Sequence, residues 1–175
     1  CAMKKTPVIW RVLLGTVLCA LIVFAYARPC FSRGECAALI ALGQRGKPYV
    51  FGKEGPDDFD CSGLVRYCYA PLGTDVIHSA EFIGYDDGYQ TVENVRDLKV
   101  GDLIFFNTIP DRDECDHVGI WLGGNCFVQA SSNEARIVVS SFSDSWVETY
   151  SWGKHILAPY DCPVLNAIDH YLPQL

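Results

Sequence analysis

The stretch Asp60-Cys61-Ser62-Gly63-Leu64 constrains this chain more than any other. An Asp just ahead of an apolar helical run is a helix cap, because its carboxylate accepts backbone N–H groups that the first turn leaves unpaired. Cys61 then falls at the first helical position, and the helix is expected from about Cys61 to Tyr69, stopping before Pro71. The positive end of a helix favours thiolate over thiol. Cys61 therefore reads as a nucleophile, against the plainer alternative of a buried structural cysteine.

A second helix is signalled upstream. Ser32-x-x-Glu35 matches a capping box, Cys36 to Leu42 continues as a helix, and Gly43 can end it. The Gly-, Pro- and Asp-rich segment from Gly46 to Phe59 reads as an ordered loop, and Ser79 to Ile83 as one short helix in an irregular stretch. From Asp102 the pattern changes to strands: Leu103 to Phe106, His117 to Leu122, Asn125 to Ala130, Arg136 to Val139 and Ile156 to Ala158. Gly123-Gly124 joins two of them as a hairpin. Helices first and strands later predict an α+β domain, N-terminal helices packed on a mostly antiparallel β-sheet.

Histidine is the usual base for a thiol. His117 opens an apolar strand, whereas His78 lies in a loop-like stretch and His170 near the C-terminus, and neither stands out. Gln129 lies across the hairpin from the His117 strand, and an amide there can accept the imidazole N–H and hold its tautomer.

The N-terminus reads as a leader. Lys4, Lys5 and Arg11 precede the charge-free apolar run Val12 to Phe24, and Ala25-Tyr26-Ala27 fits a small-x-small cleavage site. Met3 to Ala27 is thus expected to be a cleaved signal peptide behind a short Cys1-Ala2 extension. The alternative, an uncleaved anchor, must span a bilayer with a run shorter than the ~20 residues needed. Arg28 to Leu175 is then one exported domain, periplasmic or extracellular. Three of the 14 basic residues and none of the 21 acidic ones lie in the leader, so the remainder carries 11 against 21, a net charge of −10. That excludes nucleic acid as a partner by simple charge. Seven of the nine cysteines follow the leader. In an oxidising compartment disulfides are expected. If Cys61 is the free thiol, the other six can form three bridges in any of 15 pairings. No C-x-x-C or H-x-x-x-H pair occurs, so a metal site is not expected.

Gly46-Lys47-Pro48-Tyr49-Val50-Phe51-Gly52 and Phe59-Asp60-Cys61-Ser62-Gly63-Leu64-Val65 resemble the NlpC/P60 cysteine-peptidase family. Asp97 to Phe106 resembles its central segment, His117 to Gly123 its histidine strand, and Phe127 to Ser131 its third-residue strand. The resemblance implies a papain-like fold, with Cys61 as nucleophile, His117 as base and Gln129 in the third polar place, where His is commoner. It implies that Tyr49, Asp60 and Ser62 line the substrate groove, which in some relatives binds the free amine of an N-terminal alanine. No Arg follows Ser62, where Gly63 stands instead. The implied activity is hydrolysis of peptidoglycan stem peptides, often between γ-D-glutamate and a diamino acid, by a monomer needing no cofactor. An amidase cutting the glycan–peptide bond, an acyltransferase on the same fold, and a non-catalytic wall-binding module are the alternatives.

Overall fold

Two glycines decide how closely the first helix can approach the sheet. A Cβ on Gly34 would lie 2.6 Å from the Val100 carbonyl oxygen, and one on Gly101 would lie 2.2 Å from the Gly34 backbone. Gly101 also holds φ +93°, which disfavours any side chain. The first turn of α1 (Arg33–Leu42) therefore rests directly on the turn that leads into the central strand. The structure, a computed structural model, describes residues 31–156 other than 110, 112, 113 and 144. The expected leader, Met3 to Ala27, falls outside them, as do Cys30, Cys162 and His170.

α1 begins as its capping box predicts: Glu35 N–H donates to Ser32 Oγ at 3.1 Å, and Ser32 N–H donates to Glu35 Oε2 at 2.7 Å. Gly43 caps its C-terminus. α2 (Cys61–Tyr69) buries Leu64, Val65, Cys68 and Tyr69, the i, i+1, i+4, i+5 spacing of one helical face. The Tyr69 hydroxyl donates to the Gly101 carbonyl, tying α2 to the same turn. Gly63 is forced by the loop that crosses α2, since a Cβ there would come within 2.1 Å of the Lys53 carbonyl oxygen. An arginine at this position has no room. The short helix α3 (Ala80–Gly84) starts at its Ser79 cap.

The sheet has six strands: β1 (Gln90–Val92), β2 (Leu103–Phe106), β3 (His117–Gly123), β4 (Cys126–Ser131), β5 (Arg136–Ser141) and β6 (Tyr150–His155). Their order is β1-β6-β2-β3-β4-β5, and every pairing is antiparallel. Alternation along the strands creates two cores. Leu103, Phe105, Val118, Ile120, Val128 and Ala130 face the helices, packed with Ala37, Ala41, Leu64 and Val65. Ile104, Phe106, Trp121 and Phe127 face the other way, where Phe142 and Trp146, the latter on α4 (Ser145–Thr149), cover them. β2 is thus buried on both faces, which explains its unbroken apolar run.

Two expectations need correction. The last strand among the described residues is Tyr150–His155, and Ile156 follows it outside any strand; the rest of the expected strand, 157 and 158, lies outside the described residues. Its pairing to β1 and β2 holds a sequence of mixed polarity in strand form. The scheme of three disulfides also fails, because Cys36, Cys61, Cys68 and Cys126 are free thiols. Cys68 is enclosed by the helix–sheet core, and Cys126 stands opposite Ser141.

Candidate active site

Asp60 and Cys61 are placed by the start of α2. Asp60 has extended backbone angles, φ −98° and ψ −176°, and its Oδ1 accepts the Gly63 N–H at 2.7 Å. The cap thereby turns the next side chain, Cys61, into a cleft of about 390 Å³. Tyr49, Asp60 and Ser62 line the same cleft, as expected, together with Phe51, His78 and Asp116. The Tyr49 side chain also packs against the helix–sheet core.

β3 brings the histidine. The Val118 N–H, one residue after His117, points at the Cys61 sulfur, as do the backbone N–H groups of Cys61 and Ser62. The His117 ring is fixed from three sides. Its Nε2 lies 2.6 Å from Gln129 Oε1, and the Gln129 amide donates in turn to Ser140 Oγ at 2.8 Å. A carbonyl oxygen can only accept, so Nε2 carries the proton and Nδ1 is left as the basic nitrogen. Trp146 stacks on the imidazole at 5.9 Å and 28°, and Phe106 lies 6.1 Å away. Asp116 pins the approach to β3 by accepting from Thr108 N–H and Ile109 N–H at 2.9 and 2.7 Å. Of the six residues singled out in the sequence, Cys61, Tyr49, Asp60 and Ser62 line one cleft, and His117 and Gln129 meet each other across β3 and β4.

The resting charge state differs from the sequence expectation of a readily formed thiolate. Burial pushes the Cys61 thiol up to about 11, and the adjacent Asp60 carboxylate adds to the shift, outweighing the three backbone N–H groups. Burial also lowers His117 below its usual 6.5, against smaller opposing effects from Gln129 and Asp116. At neutral pH the two groups therefore rest as thiol and neutral imidazole. Alkylation of Cys61 by iodoacetamide, followed by peptide mapping, should accelerate about tenfold per pH unit from roughly pH 7 to pH 10. A flat, fast rate across neutral pH would contradict this state. The low imidazole pKa comes from the cover over the ring. Trp146→Ala should raise the His117 pKa toward 6.5 in an NMR titration, while Trp146→Phe, which keeps a stacked ring, should leave it low.

His78 was not distinguished in the sequence, yet it reaches into this site. Its Nε2 lies 2.9 Å from both Asp60 oxygens. The two residues are 18 positions apart and belong to different elements, so no local pattern links them.

The chain has relatives among known proteins. Residues 46–156 match the NlpC/P60 family. The chain belongs to that family. Murein DD-endopeptidase MepH of Escherichia coli is 35% identical over 119 residues, covering 66% of this chain and 43% of that protein. Gamma-DL-glutamyl hydrolase of Bacillus subtilis is 30% identical over 138 residues, covering 74% of this chain and 32% of the hydrolase. This NlpC/P60 chain spans less than half the length of either relative. Among solved structures, NlpC2 from Trichomonas vaginalis superposes with a TM-score of 0.66 at 31% identity, over 71% of this chain and 47% of that one. Cys61 and His117 both lie within the residues that match the family.

Proposed function

We propose that this domain is a cysteine peptidase that hydrolyses amide bonds in peptidoglycan stem peptides, between γ-D-glutamate and the following diamino acid. The observation that carries the reading is the thiol of Cys61 at the helix start, beside the β3 strand whose His117 is locked by Gln129 with Nδ1 left basic. Relatives named as a murein endopeptidase and a γ-glutamyl hydrolase support this substrate class. Such a substrate lies outside the cytoplasm, in keeping with an exported protein and a cleaved leader at Met3 to Ala27. Among the described residues no helix is long and apolar enough to cross a membrane.

The chemistry follows from the resting state. As the sulfur attacks the amide carbonyl, its proton passes to His117 Nδ1, and the Cys61 N–H steadies the oxyanion. The imidazolium then protonates the leaving amine, the C–N bond breaks, and a thioester remains on Cys61. His117 Nδ1 next takes a proton from water, whose oxygen attacks the thioester. The γ-carboxyl product leaves, and the proton returns to sulfur. Gln129 keeps Nδ1 aimed throughout by holding the opposite nitrogen.

Reaction in ¹⁸O water tests the reading. The full chain acting on a defined muropeptide should give a product cut after γ-D-glutamate with one ¹⁸O in the new carboxyl. A product released at the glycan–peptide bond would indicate the amidase instead. A new ester or amide without ¹⁸O would indicate acyl transfer, and no product at all would favour a wall-binding module.

A further inference from the structure

The outer edge of β5 is covered over only part of its length. Residues 46–49 run along its first half: Gly46 N–H donates to the Ile137 carbonyl, Ile137 N–H to the Lys47 carbonyl and Tyr49 N–H to the Ala135 carbonyl, each at 2.9 Å. Pro48 pairs with Arg136 in the same antiparallel sense. Backbone groups alternate sides along a strand, so Val139 and Ser141 point their N–H and C=O outward as Ile137 does. The covering segment never reaches them. Gly46 holds φ +84°, and Arg45 already donates its N–H to Leu42 at the end of α1. Among the described residues no hydrogen bond meets the outward groups of Val139 and Ser141. A groove of about 390 Å³ opens here, lined by Arg45, Gly46, Arg136, Ile137, Val138 and Val139. Arg136 spends one bond on Glu134 at 3.3 Å and keeps its other N–H donors. None of these residues lines the cleft that holds Cys61.

We propose that this edge is a docking site for the free C-terminal segment of a partner protein, which adds as a strand beside Val139 and Ser141 and places its terminal carboxylate between Arg45 and Arg136. Register and charge set its direction. A strand antiparallel to β5 passes Ser141 first and Val139 second, so its C-terminal end arrives at the arginines. A parallel strand brings its N-terminal end there, an ammonium against two cations. Two guanidinium groups in one groove favour a carboxylate, on a chain whose 21 acidic residues outnumber its 14 basic ones. Main-chain bonds to the open edge supply affinity for an extended segment of almost any sequence, and the arginines select one with a free end. A partner held here leaves the Cys61 cleft open to substrate.

Two hexapeptides of alternating threonine and valine, labelled with fluorescein at the N-terminus, test the proposal by fluorescence anisotropy with the full chain. One ends in a free carboxylate and the other is amidated. The free acid should bind about tenfold more tightly than the amide, the worth of a charge-assisted contact. Arg45→Glu combined with Arg136→Glu should erase that difference while the circular dichroism stays that of the unaltered chain. Ser141→Pro removes only an outward N–H, which an edge strand tolerates, and should weaken both peptides about fivefold. Equal binding of acid and amide, or binding of neither, would overturn the proposal. So would a preference for the acid that survives in the folded double variant. Self-association of the unaltered chain that Ser141→Pro abolishes would assign the edge to a second copy and overturn the partner as its occupant.

Discussion

Cys61→Ala should lower kcat/KM on a defined muropeptide by about 10⁴- to 10⁶-fold, the range seen when a nucleophile is removed and only binding and oxyanion stabilisation remain. The loss belongs to chemistry rather than folding. The backbone features at this position, the Asp60 cap and the N–H groups around the sulfur, do not depend on the thiol. Removing one sulfur atom from a partly buried site costs about 1 kcal/mol or less, so circular dichroism and the urea midpoint should stay close to those of the unaltered chain. Substantial turnover by this variant would move the nucleophile elsewhere.

Gln129→Leu should lower kcat by about 10²-fold while changing KM little. The side chain is 2% exposed and holds His117 Nε2 at 2.6 Å. Leucine fills a similar volume but accepts nothing, so the ring loses both its anchor and its tautomer preference. A base displaced by about 1 Å costs on the order of 10²-fold in rate. A buried ring N–H left without a partner costs a further ~1–3 kcal/mol of stability. Gln129→Asn, or Gln129→His, keeps an acceptor and should recover part of kcat; equal loss in all three would mean that Gln129 acts only through packing.

What could be read from sequence divides along the range of the interactions involved. The helix from Cys61 to Tyr69 was legible because cap, first turn and apolar spacing are all local. So was the β3–β4 hairpin, whose Gly123-Gly124-Asn125 turn takes three positive φ values. The strand Tyr150–His155 was not legible, because long-range pairing to β1 and β2 stabilises it rather than any alternation of its own. Likewise α4 has no apolar periodicity to announce it, only Trp146 sitting over the His117 ring. The charge state of Cys61 escaped for the same reason. Helix position predicts a lowered pKa, but burial is a property of the folded whole and it dominates. The Asp60 cap was visible and its partner His78 was not, so the cleft wall looked like an open anion when it is a filled one.

The residue types at the centre of the site were foreseeable because the chemistry restricts them to few choices. A thiol needs a base, and a base needs something to hold its far nitrogen. Positions 61, 117 and 129 offer those residue types in sequence, and the sheet register brings the last two together: His117 lies at the end of β3 paired with Phe106, and Gln129 lies on the adjacent strand. What the fold adds is an aromatic cover over His117 from Trp146 and Phe106 and an acceptor from Gln129 at its Nε2.

Acid-quenched mass spectrometry during turnover of a muropeptide tests most directly whether Cys61 is the nucleophile. The peptide bearing Cys61 should carry the mass of the stem fragment ending in γ-D-glutamate, joined as a thioester, at early quench times, and should return to its free mass as substrate is exhausted. Product accumulating while that peptide keeps its unmodified mass at every time point would contradict a covalent mechanism at Cys61.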